Sequence, residues 1–223
     1  MKKGGLRIEG KVARLEGFLV WHCFSAKEAG NMSLKYGEDA KENLFSFLFL
    51  VGAGQNRVHI KPEFGDRVLF VEKNDAGKTL ECDGLITFSS RLVLSLCPAD
   101  CAPVIVTNNR REFVALLHAG RKNLKEIIDS ALNLIEREIN LQSHQILVGI
   151  GPAIKSCCYP VDLGEVIVSH LLDKHGIPRN HIFAANVCTC CTKDEKGDYL
   201  FFSHKRSQIT GEKEGRFIAL VSL

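Results

Sequence analysis

Apolar positions along this chain fall into helical and strand-like periods that alternate unevenly from one end to the other. The clearest helical stripe follows Asn123, an N-cap residue type. Leu124, Ile127, Ile128, Ala131, Leu132, Ile135 and Ile139 share one face, with Lys125, Glu126, Asp129, Glu136 and Arg137 outside it. A second helix is expected from Leu163 to Lys174, ended by Gly176 and Pro178. A third, Asp39 to Leu50, is apolar almost all round after Asn43, so it should be buried on most faces or lie against a partner. Runs rich in β-branched and aromatic residues predict strands at Gly17–Trp21, Arg67–Glu72, Leu92–Leu96, Val104–Thr107, Phe113–Leu117, Gln145–Ile150, His181–Ala184, Tyr199–Ser203 and Arg216–Leu223. Strands joined by short turns, with helices interspersed irregularly, favour an α+β fold over a regular doubly wound sheet. No repeat and no linker-like tract interrupts the pattern, so residues 1–223 are read as a single domain.

Composition narrows the function classes. At 45% apolar and 25% charged, 223 residues are enough for one complete core, which excludes a disordered chain or a coiled coil. A net charge of +3 leaves no broad cationic field, so nucleic acid is not an expected partner, although a local basic pocket could take a small anion. No apolar run reaches the roughly 18 residues of a membrane span. Lys2, Lys3, Arg7, Glu9, Lys11, Arg14 and Glu16 break up the N-terminal stretch, so neither membrane nor signal peptide is expected and the localisation is read as cytoplasmic. Nine cysteines without an export signal then point to metal binding, catalysis or burial rather than to a disulfide framework.

One hairpin concentrates this chemistry. Cys101 to His118 reads as two strands joined by a polar turn, with Asn108 and Asn109 suited to a left-handed backbone. A turn centred between Asn109 and Arg110 would set Cys101 directly opposite His118, close enough for a thiolate and an imidazole to share one ion. Such a pair can be a nucleophile with its base, two of three ligands of a zinc, or a buried thiol opposite a hydrogen-bonded histidine. Asp100 beside the cysteine and Gly120 after the histidine weigh against the last reading, since an acid can orient an imidazole and a glycine admits close approach.

The surrounding residues resemble a known family. Ala99-Asp100-Cys101-Ala102-Pro103-Val104 and His118-Ala119-Gly120 resemble the ADCxPV and HAGWRG motifs of the YfiH-like family, also labelled laccase-domain or polyphenol oxidoreductase proteins. Asp83-Gly84-Leu85-Ile86-Thr87, Gly151-Pro152 through Cys157-Cys158-Tyr159, Cys188-Thr189 and Phe201-Phe202-Ser203 through Thr210-Gly211 resemble further family segments in the same order. Upstream, Arg57-Val58-His59 is similar to its QVH motif and His22-Cys23-Phe24-Ser25 to its HGFST motif. The resemblance implies two mixed β-sheets flanked by helices, a four-layer α/β/β/α sandwich. It also implies a catalytic metal, zinc with copper as the alternative, held by His59, Cys101 and His118. The implied activity is phosphorolysis of adenosine, inosine, guanosine or methylthioadenosine to free base and ribose 1-phosphate, together with deamination of adenosine. Purine nucleosides and phosphate are accordingly the expected partners. A lone site of two imidazoles and one thiolate suits zinc as a Lewis acid, whereas eight scattered histidines do not supply the several copper centres of a laccase.

The chain departs from the pattern where Arg121-Lys122-Asn123 replace the family's Trp-Arg-Gly. Lysine is not equivalent to arginine in clamping an oxyanion, so phosphate binding is expected to be weakened or moved to Arg121, near the backbone N–H groups that open the following helix. The residues assigned to substrate are Lys122, Arg121, Asp83, Asp100, Lys205 and Arg206. Cys157 and Cys158 are read as packing near the site. Cys190 and Cys191 are left unassigned because no partner pair at zinc-finger spacing accompanies them, and Cys23, Cys82 and Cys97 are read as burial. Two other readings stand beside the phosphorylase: a cysteine hydrolase with Cys101 as nucleophile and His118 as base, and a catalytically weakened family member that keeps a metal or partner site.

Overall fold

The computed structural model describes residues 5–54 and 56–223. In chain order the strands are β1 Leu6–Glu9, β2 Val12–Leu15, β3 Trp21–Ser25, β4 Arg57–Lys61, β5 Val68–Phe70, β6 Thr79–Glu81 and β7 Gly84–Thr87. They continue as β8 Val93–Leu96, β9 Ala102–Asn108, β10 Val114–Ala119, β11 Ile146–Ile150, β12 Ile182–Ala184 and β13 Ala219–Ser222. The helices are α1 Ala40–Leu50, α2 Leu124–Ile139, α3 Leu163–Asp173 and α4 His204–Thr210. Among these residues the strands form two mixed sheets, one ordered β1-β2-β3-β13-β8-β4-β6 and the other β12-β11-β9-β10-β7-β5.

Strand alternation builds the layers. Along β9 and β10, Val104, Val106, Ala115 and Leu117 pack beneath Ile127, Ile128, Ala131 and Ile135 of α2 and Ile167 of α3. The alternate residues Ile105, Val114 and Leu116 meet Val58, Ile60, Leu94 and Leu96 of the first sheet. The outer face of that sheet, with Val12, Cys23, Val93 and Leu220, is covered by Phe47 of α1. Helix, sheet, sheet and helices thus make the expected four-layer α+β sandwich. The stripe of α2 is seated as its periodicity predicts, and Asp129 on its flank accepts from His170 Nε2 at 2.7 Å, Lys174 Nζ at 2.6 Å and His175 Nε2 at 2.7 Å, tying α2 to α3.

Three expectations are corrected. The first strand of the Gly17–Trp21 region begins only at Trp21, because the backbone at Gly17 is left-handed, φ 73°, and turns the chain there. Tyr199–Ser203 forms no strand beyond a single bridge at Tyr199; its polar groups are spent locally, Phe201 O on Arg206 Nη2 and Ser203 Oγ on the N–H of Arg206 at the start of α4. Helix α1 is not buried on most faces, the first of the two arrangements expected for it: Phe45, Phe49 and Leu50 are 70%, 83% and 57% exposed, since one sheet face can cover only one side of a helix. Among the described residues no helix is long and apolar enough to cross a membrane.

The two sheets meet closely where β11 ends. A Cβ on Gly151 would lie 2.6 Å from Phe24 and 2.7 Å from Pro103. Gly151→Ala is therefore expected to lower stability by roughly 1–3 kcal/mol through overpacking, read as a shift of the urea unfolding midpoint with unchanged m-value.

Candidate active site

The hairpin that carries Cys101 and His118 closes one residue later than expected. Its turn is centred between Arg110 and Arg111, and Arg111 rather than either asparagine takes the left-handed backbone, φ 56°. Asn108 stays in the ladder, its Oδ1 accepting the N–H of Glu112 at 2.9 Å. In the resulting register His118 faces Pro103 and Ala119 faces Ala102, so the direct Cys101–His118 pairing is overturned. The shift is an even number of residues, so the side chains keep their face. One step further along the ladder, Cys101 comes opposite Gly120, and its Sγ lies 3.1 Å from where a Cβ of Gly120 would stand. The missing side chain of Gly120 is what lets the sulfur lean across to His118.

His118 is buried and held from behind. Its Nδ1 lies 2.8 Å from Asp83 Oδ1, and its backbone N–H donates to Asp83 O at 2.7 Å. Asp83, at the crossover from β6 to β7, also accepts the backbone N–H groups of Glu63, Phe64 and Gly65 at 3.0, 3.1 and 2.9 Å. Burial disfavours the imidazolium of His118, but Asp83 and the adjacent Cys101 outweigh it and raise its pKa to about 9. Burial would likewise raise Asp83, yet His118 and the N–H groups of Gly65 and Glu63 lower it. With Nδ1 committed to Asp83, Nε2 is the nitrogen left to act. Asn123, expected to cap α2, caps nothing with its side chain. Instead its Oδ1 accepts the N–H of Gly120 at 2.9 Å and its Nδ2 donates to Gly65 O at 2.7 Å and His118 O at 3.1 Å, tying both loops together.

The structure leaves His59 apart from this pair. Val58 and Ile60 fill the core between the sheets, so His59 stands on the opposite face of β4. There Ser95 donates to Val58 O at 3.0 Å and has the Nδ1 of His59 at 3.0 Å. Burial and then Arg57 push its pKa down to about 4, so the imidazole is neutral. Its ligand atoms do not join those of Cys101 and His118 in any group lying within 4.8 Å of one another. The side chain that does lie against His118 is Phe64, ring centroids 5.0 Å apart, with its Cδ1 3.5 Å from the same vacant Cβ position of Gly120. A phenyl ring has no lone pair to give a metal. Phe64 sits at φ 60°, a conformation that costs an aromatic residue on the order of 1–3 kcal/mol and is held here by Asp83.

The residues assigned to substrate separate into two groups. Asp83 is wholly buried behind His118, 2.8 Å from its Nδ1. Asp100 is buried at φ 84°, accepting Thr189 Oγ1 at 2.7 Å and the N–H of Lys205 at 2.6 Å. Arg206 is buried too, its guanidinium donating to Glu212, to Thr189 O and Cys190 O, and to Phe201 O, so it has no fork left for phosphate. Arg121 and Lys122 are exposed at the entry to α2, Arg121 5.8 Å above the ring of Tyr159, and the side chain of Lys205 is half-buried. Phe64 and Asn123 went unread as site residues; the Glu-Phe-Gly string carries no chemical signal, and Asn123 looked like an ordinary cap.

With this geometry in place, the comparisons are specific. A family model described as multi-copper polyphenol oxidoreductase laccase matches residues 24–171 and 161–223. The chain belongs to this YfiH-like family. A purine nucleoside phosphorylase of Clostridium acetobutylicum is 26% identical over 89% of each chain. The purine nucleoside phosphorylase YlmD of Geobacillus stearothermophilus is 31% identical over 62% of this chain and 59% of its own. The crystal structure of YlmD from that organism superposes with a TM-score of 0.86 at 25% identity, covering 97% of this chain and 98% of that one. That of the hypothetical protein YfiH from Bacillus licheniformis gives 0.85 at 25% identity over 98% of both chains.

The Asp83–His118 contact sets a pH dependence. His118, raised above its unfolded value of about 6.5, contributes stability that is complete below that pH and is lost as pH rises through about 9. Asp83→Asn is expected to bring the His118 titration, followed by NMR, down toward its ordinary range. It should also cost roughly 3 kcal/mol by removing one partner of a buried pair.

Proposed function

We propose that this chain is a purine nucleoside phosphorylase whose reacting centre is Cys101, His118 and Asp83, with Arg121 and Lys122 taking the phosphate. The observation that carries the reading is His118, fixed at Nδ1 by Asp83 at 2.8 Å, beside Cys101 and three residues before Arg121, the first of the exposed cations that enter α2. The relatives named as purine nucleoside phosphorylases support the same chemistry. In phosphorolysis a phosphate oxygen forms a bond to C1′ of the ribose while the bond from C1′ to the purine nitrogen breaks, and its electron pair leaves with the base. His118 Nε2 delivers the proton that neutralises the departing purine, and the proton of the incoming phosphate restores it. Arg121, Lys122 and the N–H groups at the start of α2 hold the phosphate charge.

A zinc or copper ion would supply Lewis acidity here. The side chains present do not form the expected three-donor set, because Phe64 rather than His59 adjoins Cys101 and His118, so no step is assigned to a metal. For the same reason we assign phosphorolysis rather than adenosine deamination, which needs an activated water. A second reading has its own observation: Asp83 orients His118, which lies beside Cys101, an arrangement that also suits a thiol nucleophile with its base.

Chromatography of inosine and adenosine reactions with and without phosphate tests both. Phosphate-dependent release of free base is expected, falling at least about 100-fold in kcat/KM for His118→Ala and staying within about threefold for His59→Ala. Lys122→Arg is expected to lower KM for phosphate through a bidentate contact. Loss of turnover in His59→Ala equal to that in His118→Ala would overturn the metal-free centre. Absence of base release, with hydrolysis of activated esters abolished by Cys101→Ser, would favour the thiol reading.

A further inference from the structure

We propose that Cys157, Cys158, Cys188 and Cys191 form a tetrathiolate site for one zinc-type divalent ion, independent of the Cys101–His118 centre. Their four Sγ atoms all lie within 4.8 Å of one another, and those of Cys157 and Cys191 are 3.3 Å apart. A tetrahedral zinc with bonds of about 2.3 Å to sulfur needs its four sulfurs about 3.8 Å from one another, so the cluster already has the size of a coordination shell.

Two short turns bring it together. In the first, the N–H groups of Cys158 and Tyr159 both donate to Lys155 O at 3.0 Å, which presents the adjacent Cys157 and Cys158 on a tight bend. In the second, Thr192 N donates to Cys188 O at 3.1 Å and Cys188 N to Thr192 Oγ1 at 3.0 Å, so Cys188 and Cys191 project from one turn at the two-residue spacing of a metal-binding knuckle. A bridge between Ala153 and Cys188 holds the turns side by side.

Packing accounts for only part of this cluster. Cys188 and Cys190 are buried in the helix-side core and Cys158 packs against it, but Cys157 and Cys191 are exposed and still lie against the other two sulfurs. Four mutually close sulfurs also exceed what one disulfide would use. The ion has a structural role to play: Thr189, within the second turn, donates to Asp100, the neighbour of Cys101, while Arg206 clamps the carbonyls of Thr189 and Cys190. Pinning this turn pins the loop behind the active-site cysteine.

The test is elemental analysis and cobalt titration of the full chain, purified reduced and dialysed against a mild chelator. Wild type is expected to retain about one zinc per chain and to give the intense absorption of tetrahedral cobalt–thiolate on substitution. Cys157→Ser/Cys191→Ser, at exposed positions, should lose both while keeping wild-type circular dichroism; Cys101→Ser and His59→Ala should keep both. Equal metal content in wild type and the double variant, a cobalt spectrum unchanged by it, or a Cys157–Cys191 disulfide in metal-exposed reduced protein would overturn the proposal. These readouts do not use nucleoside turnover, so failure here and failure of the phosphorylase reading are separable.

Discussion

The carboxylate of Asp83 is the interaction on which the centre depends. It is fully buried at the point where the chain passes from one sheet to the other, and there it gathers three consecutive backbone N–H groups and the imidazole of His118. A buried carboxylate is costly unless its lone pairs are filled, and here every contact does positional work. The three N–H groups hold Phe64 at a left-handed φ, which lays its ring against His118. The fourth contact turns His118 so that its free nitrogen faces the side of Cys101.

Around that anchor the chain has replaced parts of its family's motif with a self-consistent alternative. Asn123 stands where the motif has glycine, and its side chain ties Gly120 and His118 to Gly65, joining the loop after β10 to the loop after β4. Gly120, which is retained, leaves the space that Cys101 Sγ and Phe64 share. The outcome is a thiol, an imidazole and a carboxylate in contact under an aromatic lid, with two exposed cations at the adjoining helix start.

Much of the architecture was legible because local patterning and burial agree. Helix α2 has the boundaries its stripe implies, and β9 to β11 lie where β-branched runs placed them, since one sheet face and one helix stripe must each be apolar to pack. Register was less legible. Two asparagines offered a turn, but the pairing of β9 with β11 carried Asn108 into the sheet and pushed the bend to Arg110 and Arg111. Arg206 illustrates the same limit for function: a basic residue in a family motif reads as an anion ligand until its partners, four backbone and side-chain oxygens, are seen to be internal.

The sequence by itself determined the fold class, the family and the cysteine–histidine pair, because these rest on short-range periodicity and on motifs in a fixed order. Only the tertiary structure decided which side chains share a space. It put His59 on the far face of β4, since its neighbours Val58 and Ile60 face the core and successive strand residues point to opposite faces. It set Phe64 beside His118, and it drew Cys157 and Cys158 to Cys188 and Cys191 from a distant turn. Proximity between residues far apart in the chain is a property of the packed sheets, and no spacing along the chain encodes it.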